Sequence, residues 1–144
     1  MKNKIERLIT VITIVLVQNL YSQTFDKQTY KKLLKSDKIG FVEHAKSIGL
    51  TVETDSISES IFAKKADCLF IKPTGSKNDN SFYQLVLIVS TKNKENSKII
   101  LENAKENPEN KGIWTDAEYL YKEWDMENPI SKELWYKILI YKKK

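Results

Sequence analysis

The sequence predicts an α+β domain: an antiparallel sheet of about five strands with two or three helices packed on one face. Three observations carry this expectation. Helical and strand-like hydrophobic periodicities both occur, in the order α-α-β-β-β-α-β-β. The strand-like runs are joined by short turns, which favours antiparallel neighbours with helices gathered on one side. The segment Phe82 to Thr91 is apolar on both faces, with Val86 and Ile88 on one and Leu85, Leu87 and Val89 on the other. A strand of that kind is central in its sheet or covered on both sides.

The chain opens with Lys2, Lys4 and Arg7, followed by the uncharged apolar run Leu8 to Val17 and a polar break at Gln18-Asn19. A basic start and an apolar core of about 7–15 residues is the pattern of a secretory signal peptide, and the run is shorter than the roughly 20 residues that span a bilayer. Ser22 is a small residue suited to the position before cleavage. Residues 1–22 are therefore expected to be a signal peptide and 23–144 a single compact domain, exported to the periplasm or secreted. An uncleaved anchor is the alternative, because Leu20 is not small and extends the apolar stretch.

The first helix is expected from Asp26 as N-cap to near Ser36, with Phe25 and Tyr30 spaced as a hydrophobic staple and Tyr30, Leu33 and Leu34 on one face. Asp37 caps a second helix to Ile48, whose stripe is Phe41, Ala45 and Ile48, and Gly49 offers a left-handed stop. Leu50 to Thr54 alternates as a strand. Ser60 to Ala63 opens another, and Cys68 to Lys72 forms a firmer one. Pro73 to Ser81 is dense in turn residues. A third helix is expected from Asn96 to Asn107, stopped by Pro108. A polar loop around Asn110 to Gly112 follows, then strands Glu118 to Trp124 and Leu134 to Lys142. A loose rhyme relates 37–91 to 96–142, each a helix followed by strands. This element order resembles, at the level of architecture, small exported inhibitor or binding domains such as the PepSY-like and beta-lactamase-inhibitor-like folds. No motif accompanies the likeness, and architecture alone transfers no function.

The net charge of +5 falls to about +3 when residues 1–22 are set aside. With Lys142-Lys143-Lys144 the only tight basic cluster, no nucleic-acid partner is expected, nor a membrane span once the signal is cleaved. Cys68 is the sole cysteine, so no intramolecular disulfide forms, and in its apolar run it reads as a small hydrophobe.

One histidine, His44, and one cysteine cannot supply a zinc site by themselves, and no nucleophile elbow or glycine-rich phosphate loop is present. The loop Lys77 to Ser81 lacks the glycine and terminal glutamate of a calcium loop. No metal or cofactor is expected. Glu118, Glu123 and Asp125 are the carboxylates available for glycoside chemistry.

Aromatic residues crowd the C-terminal third. In the Glu118 to Trp124 strand, Tyr119 and Tyr121 share one face while Leu120 and Trp124 share the other. Tyr and Trp bury area while keeping a polar handle, which suits recognition surfaces. Trp114, Tyr119, Tyr121, Trp124 and Trp135 are thus the candidate binding residues. The function expected is a non-catalytic module contacting an extracytoplasmic protein, peptide or glycan, with an inhibitor or immunity-type role as one form of it. The alternative is a small carboxylate-dependent hydrolase acting on an envelope polymer.

Overall fold

The computed structural model describes residues 26–65, 67–73 and 85–143. The expected signal peptide, the staple residue Phe25, nearly all of the Pro73 to Ser81 loop and residues 82–84 lie outside the described residues. Helix α1 (Lys27–Lys35) starts where Asp26 accepts a 2.6 Å hydrogen bond from the Thr29 amide, and α2 (Lys38–Ser47) starts where Asp37 accepts one of 2.8 Å from Gly40. Both are the side-chain caps that satisfy otherwise orphaned N–H groups. Gly49, at φ +79°, takes the left-handed conformation expected of it and releases the chain into the sheet.

Eight strands follow: β1 (Thr51–Thr54), β2 (Ile61–Lys65), β3 (Cys68–Lys72) and β4 (Val86–Thr91), then, after α3 (Lys94–Leu101), β5 (Lys105–Asn107), β6 (Asn110–Thr115), β7 (Tyr119–Glu127) and β8 (Leu134–Lys142). All neighbouring strands are antiparallel, in the order β1-β2-β3-β4-β8-β7-β6-β5. Two four-stranded meanders are thus joined through β4 and β8, in the arrangement an approximate two-fold axis between those strands would give. The rhyme between 37–91 and 96–142 is this duplication of helix plus meander.

The α+β class holds, but the sheet has eight strands rather than about five. Six of the eight fall on segments with strand-like patterning, and the two that such patterning passes over, β5 and β6, lie at one margin of the sheet. There a strand is wet and need not alternate apolar with polar. Part of the expected third helix is one of them. Asn93, not Asn96 or Ser97, caps α3 by accepting from the Glu95 amide at 2.9 Å. The helix ends at Leu101, so that Lys105–Asn107 pairs with β6 and Pro108 lies in the turn between them. The expected polar loop at Asn110 to Gly112 is the start of β6.

All three described helices cover one face of the sheet. Leu33 and Leu34 of α1, Phe41 and Ala45 of α2, and Ile100 of α3 form a single core with strand residues that share that face. These include Ile61, Phe70, Leu87, Val89, Ile138 and Ile140. The sheet face is the same for all of them because directly paired residues point the same way: Ala63 faces Phe70, Phe70 faces Val89, and Val89 faces Ile138. One cation lies within this core. Lys72 is fully buried, and its Nζ donates to the Leu34 carbonyl at 2.5 Å.

Candidate functional site

The period-two pleat decides where each aromatic of the C-terminal third goes. Tyr121 pairs with Ile140 and Tyr119 with Lys142, which turns both tyrosines toward the helices. Both are buried, with their ring centroids 6.2 Å apart and tilted by 58°. Trp114 pairs with Tyr121, so it shares that face and packs half-buried against the core. Trp124 and Trp135 point to the opposite face. The five aromatic candidates therefore do not form one surface: three support the core and two lie on the side away from the helices.

Asp116 anchors the tyrosine face. It accepts 2.8 and 2.7 Å hydrogen bonds from the Glu118 and Tyr119 amides and a 2.6 Å bond from the Tyr121 hydroxyl. Burial would raise its pKa, but these donors outweigh burial and hold the carboxyl below its ordinary value. Burial also pushes the Tyr30 and Tyr119 hydroxyls up to about 12, so neither serves as a proton acceptor near neutral pH.

The face that no described helix covers, here the helix-free face, runs row by row across the strands. One row runs Thr51, Lys64, Leu69, Ser90, Lys137 and Trp124, from the outermost strand β1 to β7. The next carries Phe62, Ile71, Ile88 and Leu139, flanked by Glu53 and Lys122. Beyond it, Tyr141 pairs with Val86 on one side and Leu120 on the other. At the opposite end, Trp135 pairs with Met126 and stands diagonal to Trp124. Leu120 is 38% exposed, Trp124 37% and Met126 46%. Large apolar side chains this exposed, grouped on one hairpin, mark an interaction surface better than scattered ones do.

Trp135 is held by its surroundings. The Lys92 Nζ lies 5.2 Å from the ring centroid and 2.7 Å from Glu133 Oε1, so a cation that is itself anchored fixes the indole from one side. Thr51, Lys64, Lys65, Cys68, Leu69 and Trp135 line an open cleft of about 460 Å³ at this end of the sheet. A second cleft of about 400 Å³ lies on the helix side, lined by Lys94, Ser97, Lys98, Leu101, Trp114 and Glu123.

Of the carboxylates, Glu118 is exposed in the β6–β7 turn, while Glu123 and Asp125 continue the Tyr119–Tyr121 side of β7 past the core. His44 borders the core on α2, 3.5 Å from the Ser47 hydroxyl, and burial together with Lys32 pulls its pKa down. Cys68 is buried, and burial pushes its thiol up to about 11. No group of three or more metal-ligating side chains occurs among the described residues, and no described helix is long and apolar enough to cross a membrane.

Sequence reading missed Met126, Lys137 and Asp116. The first two were within its reach: Met126 continues the alternation Leu120, Lys122, Trp124, and Lys137 follows Trp135 two residues on. Asp116 carried no periodic signal, since its role is to close a turn. No family model, curated protein or solved structure matches the chain.

Proposed function

We propose that the chain is a non-catalytic interaction module that works outside the cytoplasm and holds a protein or peptide partner on the helix-free face of its β7–β8 hairpin. The exposed strip of Leu120, Trp124 and Met126 beside Trp135 is the observation that carries this reading. Trp and Met are among the side chains enriched at the centres of interfaces, and Trp is prominent among residues whose truncation costs most binding energy. A rigid sheet presents them in fixed relative positions and limits the entropy lost on binding. Export rests on the basic start and apolar run of residues 1–22.

The test compares the native chain with Trp124→Ala and Met126→Ser in capture from an envelope fraction, with Tyr136→Phe on the other face as control. Binding that disappears in the first two variants and survives in the control supports the reading, provided all melt like the native chain. A partner retained by every folded variant refutes it.

A further inference from the structure

The helix-free face is charged unevenly. Among the described strand residues, Lys64, Lys105, Lys122 and Lys137 project from it and Glu53 is the one carboxylate that does, already paired with Lys64 at 2.7 Å. Between the lysines lie apolar residues, and Leu69 and Trp135 line the cleft at one end. A second copy of this chain laid face to face would set lysines against lysines, which like-charge repulsion opposes. A partner bearing carboxylates would meet the opposite field.

Resting on the interaction-module reading, we infer that the occupant is an acidic protein segment that crosses the strands, places an apolar side chain in the Leu69–Trp135 cleft, and presents carboxylates to Lys64 and Lys137. These two lysines lie in one row, separated by Leu69 and Ser90. Three strand spacings put them about 14 Å apart, which is the reach of about four extended residues. The motif that fits is therefore two acidic residues some four positions apart with an apolar residue between them. The anchored Trp135 ring gives that apolar residue a preformed wall.

The probe is a random linear peptide library displayed on phage and selected against the full chain at physiological salt. The expected result is enrichment of peptides with an apolar residue flanked by Asp or Glu. Their affinity should fall about tenfold or more in the Lys64→Glu/Lys137→Glu variant, weaken with added salt, and be lost in Trp135→Ala or, should that variant not fold, Leu69→Ser. Peptides that depend on Trp135 or Leu69 but show no acidic bias overturn the charge assignment and leave the interaction-module reading standing. No enrichment, or enrichment indifferent to both residues, overturns both. A lysine-specific cross-link from Lys137 or Lys122 to Lys2 or Lys4 would put the chain's own start on the face. Concentration-dependent dimerisation abolished by Trp124→Ala would put a second copy there. Tight binding of a DNA duplex by the same face would assign it to phosphate. Each of these results refutes the acidic-segment assignment.

Discussion

The Tyr121 hydroxyl donates a 2.6 Å hydrogen bond to Asp116 Oδ2, which ties the helix-facing side of β7 to the turn that precedes it. One carboxylate thereby braces the β6–β7 connection and holds the Tyr121 hydroxyl on the helix side of the sheet.

Tyr121→Phe should cost about 1.5–3 kcal/mol at pH 7, the range of a hydrogen bond to a charged group. Asp116 has a folded-state pKa below its ordinary 3.8. Its contribution is therefore complete above the unfolded value and disappears as pH falls through the folded one. Urea unfolding from pH 7 down to pH 2 should show the gap between native and Tyr121→Phe closing at the acid end. A gap of constant size would mean that the hydroxyl acts through packing instead.

Lys72 gives a slope of the same sign for a different reason, because burial disfavours its charged form. Burial lowers its pKa from 10.5 to about 7, so between those values the unfolded chain holds the extra proton and stability rises with pH. Lys72→Met should flatten that rise, because it removes a group whose proton the folded chain releases within this window. Chemical denaturation at pH 6, 8 and 10 reads this directly, and a Met variant with the native slope would disprove it.

Two left-handed glycines should respond differently to alanine. A Cβ on Gly112 would sit 2.7 Å from the Glu123 carbonyl oxygen, whereas one on Gly49 meets nothing within 4 Å. Gly49→Ala should cost about 1–2 kcal/mol for backbone conformation alone. Gly112→Ala should cost more, because β6 must also move away from β7. Thermal melts of the two variants rank them, and equal losses would show that the strands part freely.

Cys68 should be inert in the native domain. Its thiol titrates near 11 and is buried, and the thiolate is the reactive form. Labelling with a disulfide reagent at pH 8 should proceed only at the rate of unfolding and go to completion in denaturant. Fast native labelling would contradict the burial.

What could be read in the sequence divides along physical lines. Asp26, Asp37 and Gly49 gave the helix boundaries because capping is local chemistry, and β3 and β8 occupy the segments expected of them because their apolar runs are long and well bounded. The break after Leu101 was hidden, because no glycine or proline stands at 102 or 103 and Pro108 offered a more visible stop seven residues after Leu101. Sorting Tyr119 and Tyr121 from Leu120 and Trp124 was within reach of a period-two pattern. Deciding which pair faces inward was not, since both pairs are apolar enough to fill a core and only the positions of the helices settle it.

The seam between β4 and β8 has a consequence for how the molecule comes into being. The strand that closes the middle of the sheet is the last of the described elements to be synthesised, so β4 has no neighbour on one side until residues near 142 emerge. The other pairings all join consecutive strands, so β4–β8 is the long-range pairing of the sheet and the one whose loop closure slows folding most. The eight-stranded sheet can therefore close only after the last described strand has left the ribosome.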